Sequence, residues 1–340
     1  MAMTIEARNP RLEAQRLLAG KGSARVLEPS PPAVNDGPYF ADDPVAVDGH
    51  DSETSLVVPA GTVPAGSEST EVIDWNRWLT DHPDRHDRVA ELWLGGDRRL
   101  RPAPSSLVAT RLALHRLAVY VVAPARHKAN GKFGLRWTRG GFGTPFFGRD
   151  RQIRVEGPQL VDQQDGAVRH APITSLRAAA DFIGADIDSE TAAEHDSPAV
   201  GDPDEMLTVD LDAVAFMSDW YGMAFAALEQ LRADEASIDP SRPQLWPGHF
   251  DPAIEVGSED GRASFGASPG DQTSDEPYLY VSLWWPDRLG IDADDSFWNA
   301  DGYVGRRLSL SDFPSDADPV DVAAGFWQET RDRIAESAPP

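Results

Sequence analysis

One order of elements runs along this chain twice, and it limits the fold more than any single residue does. The first pass begins with an apolar stretch, "SSLVATRLALHRLAVYVVAPAR" (105–126), bracketed by Pro104 and Pro124. Val108, Leu112, His115, Val119 and Val122 recur at helical spacing, which predicts a helix over 105–123 with one buried stripe. His115 lies on that stripe and is expected as a hydrogen-bonded core residue. Short β-like runs follow, "GKFGLRWT", "RQIRVEG", "PQLVD" and "AVRHAPI", separated by Gly-rich or Asp-Gly turns. "TSLRAAADFIG" then reads as a helix with a Thr cap and a Gly stop.

The second pass starts with "LDAVAFMSDWYGMAFAALEQLRA", where Leu211, Val214, Met217, Tyr221, Phe225 and Leu228 mark an apolar side. Strands are expected at 244–256, at 262–266 and in "PYLYVSLWW". "DPVDVAAGFWQETRDRIA" closes the chain as a helix capped by Asp318, with Pro319 in its first turn. Strands joined by such short turns pair antiparallel, since a parallel pair needs a long crossover. The expected class is therefore α+β, mainly antiparallel sheet with helices packed on one side, built from two similar helix–strands–helix halves. Residues 71–183 form the first half and 206–336 the second. Between them, 184–205 holds many carboxylates and no Lys or Arg, and reads as an acidic linker.

Residues 1–70 read as a poorly ordered extension. One short helix is expected at 10–19, ended by Gly20. "EPSPPAVNDGP" and "PAGTVPAGSEST" hold too many Pro and Gly for regular elements. A further helix is expected near Pro83 and stops at Gly95-Gly96. His82 and His86 stand four apart there, but Pro83 occupies the Glu position of a zinc-protease HExxH motif, so both read as capping or surface residues.

Charge narrows the partners. The net charge is −25, with only three lysines, Lys21, Lys128 and Lys132. Such a chain repels phosphate backbones and anionic membranes, so neither nucleic acid nor membrane is an expected partner. Cationic small molecules, basic proteins and divalent cations remain, beside the plain reading of an acidic surface that serves solubility. Cysteine is absent, which removes disulfides and thiolate chemistry and fits a reducing cytoplasm. The first residues lack the apolar run of a signal peptide. The most apolar stretch is interrupted by Arg111, His115 and Arg116. A cytoplasmic location is expected, and no cofactor motif is present.

One stretch invites chemistry: "QLWPGHFDPAIEVGSEDGRASFGASPGD" (244–271). If 244–256 is a single strand, alternation puts Trp246, Phe250, Ile254 and Val256 on one face and His249, Asp251 and Glu255 on the other. Closing the "SEDG" turn sets Ile254 opposite Phe265 and Glu255 opposite Ser264. His249, Asp251 and Glu255 are candidate catalytic residues, as metal ligands completed by Glu255 or Asp271, or as an acid–base set. The competing reading is an ordinary solvated sheet face. "EPYLYVSLWWPDRLG" places Tyr278, Tyr280 and Trp284 on one face and Trp285 on the other, as in a strand buried between layers; the competing reading makes them, with Trp246, Trp298 and Phe297, the lining of an apolar ligand groove. "RGGFGTPFFGRD" has no Lys-Ser/Thr after its glycines, so it reads as a tight turn and not a phosphate loop.

The segments "APARHKANGKFGLRWTRGGFGTPFFG", "ITSLRAAADFIG" and "LWPGHFDPAIEVG…GASPGD…EPYLYV" resemble a family of uncharacterised actinobacterial proteins that share a domain of unknown function. The chain also resembles a wider set in which a helix, an "HF…FDLAV"-type strand and an aromatic strand follow in this order. The resemblance spans roughly residues 70 to 336. It implies the two-half layout and transfers no catalytic residue. Pro252 stands where the pattern usually has Leu after "HFD". The leading functional expectation is a binding protein with an aromatic-lined groove between its halves. A metal-assisted hydrolase is the competing class, and a structural partner using residues 1–70 as an arm is a third.

Overall fold

The computed structural model describes residues 100–337, except 139, 145–146, 148–150, 165–166, 189–196, 242 and 293–294, plus four strand pieces before residue 74. Those pieces pair antiparallel, Ala24–Arg25 with Val72–Ile73 and Pro38–Ala41 with Leu56–Pro59. The helices expected at 10–19 and near Pro83, with His82 and His86, lie outside the described residues.

Helix α1 comprises Leu107–Leu117, a π-helical turn Ala118–Val122, and Ala123–Asn130. The expected stop at Pro124 does not occur. A proline inside an α-helix removes one hydrogen bond and pushes its ring against the carbonyl four residues back. That carbonyl belongs to Tyr120, inside the widened turn, and it accepts instead from Asp188 N at 3.1 Å. The helix ends at Gly131, in the left-handed conformation (φ 75°). The span Leu107–Ala129 is long and apolar enough to cross a membrane by length and composition. Within the fold, 72% of its most apolar window is buried, as in a core helix.

A five-stranded antiparallel meander follows: β1 (Arg136–Thr138), β2 (Gly141–Gly143), β3 (Arg151–Glu156), β4 (Gln159–Gln164) and β5 (Ala167–Pro172). Helix α2 (Leu176–Ile183) closes the half, capped by Ser175 and not by Thr174: the Ser175 hydroxyl accepts from Ala178 N at 3.1 Å. The second half repeats the order. Helix α3 (Leu211–Ala233) leads into β6 (Gln244–Trp246), β7 (Asp251–Val256), β8 (Ala263–Ser268), β9 (Tyr278–Leu283), the single-turn α4 (Pro286–Leu289) and β10 (Gly305–Ser309). Helix α5 (Pro319–Ser337) ends it, with Asp318 accepting from Val320 N at 2.8 Å as its cap. The α+β class, the antiparallel pairing and the two similar halves are thus present.

The two meanders meet edge to edge. Leu135 and Leu245 exchange both backbone hydrogen bonds, each 2.8 Å, so the ends of β1 and β6 pair antiparallel. Both leucines are buried on the face that carries Phe142, Ile153, Val155, Leu160, Ile254, Phe265, Leu279 and Val281.

All described helices lie on this apolar side. Arg151, in line with Ile153 and Val155, donates to the Ile183 carbonyl at the end of α2. Trp220 Nε1 of α3 donates to Ala267 O at 3.2 Å, and Arg306 pairs with Glu329 of α5 at 2.7 Å. Helix α3 crosses the seam, touching β1 and β2 on one side and β7 and β8 on the other. The expected one-sided amphipathic helix is a correction here. Leu211 is exposed at its start, while Phe216, Trp220, Met223, Ala227 and Leu231 are buried off the expected stripe. A helix covered by a sheet on one side and by α1 and α5 on others must be apolar nearly all round.

The acidic linker is also pinned where it is described. Arg116 of α1, itself buried, donates to the carbonyls of Val200 and Asp202 and pairs with Glu205 at 3.0 Å. Tyr120 Oη donates to Pro198 O at 2.7 Å.

Leu245→Ala removes a fully buried side chain at the seam and is expected to cost about 3 kcal/mol. Chemical denaturation followed by both tryptophan fluorescence and circular dichroism should still show one coincident transition. Two separated transitions in the variant would mean that α3, which spans the seam, does not by itself couple the two halves.

Candidate functional site

The segment 244–256 is not one strand. Pro247–Phe250 form a tight turn, so β6 folds back on β7 with Trp246 opposite Asp251 and Gln244 opposite Ala253. Phe250 N donates to Trp246 O at 2.6 Å and Phe250 takes φ 59°, a region that costs an L-residue strain. Its ring supplies the compensation. It stacks on His115 at 5.1 Å and meets Phe142 edge-on at 5.0 Å and Tyr221 at 5.7 Å. Tyr221 Oη donates to Phe250 O at 2.9 Å.

His115 holds the same turn from α1. Its Nε2 lies 2.9 Å from Pro247 O and 3.1 Å from Gly248 O. Both partners are acceptors, so Nε2 carries the proton in the neutral ring. Burial pushes the imidazole down to about 4, against the two carbonyls, with His249 and Arg111 adding repulsion. The expected hydrogen-bonded core histidine is what the structure contains.

This turn delivers Asp251 to the sheet face opposite the helices. The carboxyl is 4% exposed. Oδ2 accepts from Tyr280 Oη at 2.5 Å, while Oδ1 has no hydrogen-bond partner among the described residues. Burial raises its pKa above the usual carboxylate range, although the neighbouring His249 pulls the other way. Room for the Tyr280 ring comes from Gly266, directly opposite in register. A Cβ there would sit 2.4 Å from the ring's Cζ.

Beside it lies the loop between β8 and β9, held from α1 by Arg111. The buried guanidinium donates to the carbonyls of Pro269, Asp271, Ser274 and Asp275 at 3.1–3.5 Å. Gly270 (φ 97°) permits this, since a Cβ would fall 2.0 Å from Arg111 Nη1. The loop presents Asp271 to Tyr278 Oη, which donates to Asp271 Oδ2. Burial alone raises Asp271; hydrogen bonds from Tyr278, Thr273 and Ser274 outweigh it and leave the carboxyl below its ordinary value. The Tyr278 phenol is pushed well above 10 by burial and by Asp271. Arg307 lies over the Tyr278 ring, 3.7 Å from its centroid.

The candidate residues therefore divide. Asp251, Tyr278 and Tyr280 come together, with Trp246 opposite Asp251. Trp284 shares their side of β9 but lies at its far end, half exposed, donating to Ser264 Oγ at 2.9 Å. Trp298 is buried against Phe297 in the core. His249 is exposed on the turn and not on a strand face. Glu255 is four residues beyond Asp251, about 13 Å along an extended strand, and pairs with Arg262 at 3.3 Å. The trio does not converge. Among the described residues no group of three His, Asp or Glu is placed to hold a metal ion. Arg111 and Arg307 went unrecognised as site residues. The one signal for Arg111 is a cation inside an apolar helical stretch; Arg307 has none, because "GRRLS" carries no strand pattern.

No protein-family model matches this chain, and neither does any curated protein or solved structure.

Two outcomes test this geometry. A histidine held neutral in the fold stabilises it fully above pH 6.5, and that contribution is lost as pH falls through 6.5 toward 4. Wild type should lose on the order of 3 kcal/mol across that window relative to His115→Gln, measured by urea unfolding at stepped pH. Gly270→Ala forces a strained φ and a clash with Arg111. It is expected to destabilise by about 2 kcal/mol in the same assay.

Proposed function

We propose that this chain is a binding protein whose ligand seats on the polar sheet face of the second half, with Asp251 as its anchor. The observation that carries the reading is the buried Asp251 carboxyl with an unused Oδ1. A buried acceptor left without a donor costs about 1–3 kcal/mol, and native folds seldom keep one without a use. A ligand N–H, above all a protonated amine or an amidinium, satisfies that oxygen and neutralises the carboxylate together. The surroundings suit such a group: Tyr280 and Tyr278 present aromatic rings on the same face, and Trp246 stands opposite Asp251 in the hairpin. The overall charge of −25 draws cations toward it. The hydrolase alternative lacks its third member, because Glu255 lies about 13 Å along the strand from Asp251 and pairs with Arg262.

The test is a thermal-shift series with alkylammonium and amidinium salts, against neutral alcohols of the same shape at constant ionic strength. A saturable rise of several degrees in wild type is expected near 100 times the dissociation constant, by mass action. It should be lost in Asp251→Asn, whose amide oxygen still accepts from Tyr280, and reduced in Tyr280→Phe. No shift with any cation, or an equal shift in Asp251→Asn, would retire Asp251 as the anchor.

A further inference from the structure

A second charge on the Asp251 face is uncommitted, and it belongs to Arg307. In register, Gln244, Ala253, Gly266, Tyr280 and Arg307 form one row across β6 to β10, so their side chains share a side of the sheet. Asp251, two residues before Ala253, and Tyr278, two before Tyr280, lie on that side too. The adjacent Arg306 faces the helices and is engaged there, donating to Glu329 at 2.7 Å and to Thr330 Oγ1 at 3.2 Å. Arg307 differs. Its backbone bonds to Asn299 and its Cζ lies 3.7 Å from the Tyr278 ring centroid. Among the described residues its guanidinium has neither a hydrogen-bond acceptor nor an ion-pair partner.

Asp271, which Tyr278 also touches, does not serve it. Oδ1 of Asp271 accepts from Thr273 N at 2.7 Å and Ser274 N at 3.0 Å, and Oδ2 accepts from the Tyr278 phenol. A guanidinium over an aromatic ring uses its face and keeps its in-plane N–H donors for a planar anion. The ring also restrains the group, while the side chain stays half-buried and within reach of solvent.

Two tyrosines lie between the unmatched charges. From Asp251 the path runs through the Tyr280 hydroxyl, 2.5 Å away, and across two rings with centroids 6.2 Å apart to Arg307. Strands β7 and β10 are three spacings apart, about 14 Å, and both side chains close part of that distance. The room left between the charges is of small-molecule size.

We propose that the ligand of this face is a zwitterion, an amino carboxylate whose ammonium bonds Asp251 Oδ1 and whose carboxylate bonds Arg307. Its carbon chain lies across Tyr280 and Tyr278. The assignment rests on the reading of Asp251 as an amine anchor and narrows it. A simple monoamine leaves Arg307 unmatched, a diamine sets a cation against it, and the net charge of −25 repels a dianion.

Titration calorimetry of the full chain, at fixed pH and ionic strength, tests this with glycine, γ-aminobutyrate and ε-aminocaproate. Each is compared with the alkylammonium ion in which a methyl group replaces the carboxylate. At least one amino carboxylate is expected to bind about tenfold or more tighter than its counterpart. Arg307→Gln should abolish that advantage and leave alkylammonium binding unchanged, which also shows that the variant is folded. A carboxylate that adds nothing in wild type, an advantage that survives Arg307→Gln, or an equal loss for both ions in the variant overturns the inference and leaves Asp251 as an amine anchor. No binding of any ammonium ion to wild type retires that anchor, and this inference with it.

Discussion

Two backbone hydrogen bonds between Leu135 and Leu245 turn two small sheets into one structure. Each five-stranded meander alone is a thin layer with one apolar side, and its own helices cover only part of that side. Joining β1 to β6 makes the apolar side continuous, and that continuity allows α3 to lie across the seam. Trp220 and Tyr221 of α3 then reach the second sheet while the same helix also touches β1 and β2. Burying the whole circumference of α3 follows from its position between the sheet and the outer helices. The distribution of apolar residues in 211–233 records that position more than it records any amphipathic stripe.

From this seam the strained turn follows. The hairpin between β6 and β7 begins one residue beyond Leu245, and Phe250 is driven into the core at its tip. His115, Phe142 and Tyr221 surround it, coming from α1, from the first sheet and from α3. Three separately built elements therefore hold one unfavourable backbone conformation, and that conformation places Asp251 on the polar side. Burial there raises the Asp251 pKa above the usual carboxylate range, and Tyr280 donates to its Oδ2. Such a group lowers stability at neutral pH compared with an apolar replacement. Its placement at the end of a strained turn follows the pattern of sites that store strain where a partner is to be met.

Local signals in the sequence were enough for the class, the start of α5 and part of the register. Ile254 opposite Phe265 and Glu255 opposite Ser264 follow from alternation and the length of one turn, and both pairs are present. Asp318 caps α5 as expected. The failures share a cause: each depended on a partner distant in sequence. Pro124 continues a helix because Asp188 takes the carbonyl it frees. The break inside 244–256 depends on His115, more than 130 residues earlier, binding the Pro247 carbonyl. Tyr280 meets Asp251 because Gly266 leaves a gap between them, and "GASPGD" alone does not reveal it. The strand β10 shows neither alternation nor β-branched residues, since an outermost strand needs only a backbone partner on one side.

A reciprocal pair such as Leu135 and Leu245 looks the same from either strand, as the contact in a twofold symmetric dimer does. Two identical subunits joined this way would have to display the same surface twice. A single polypeptide is under no such obligation. Arginines stand on the outer face of one half, and a carboxyl flanked by tyrosines stands on that of the other. The frame is that of a symmetric pair, yet one sheet carries buried guanidinium groups on one half and a buried carboxyl between tyrosines on the other.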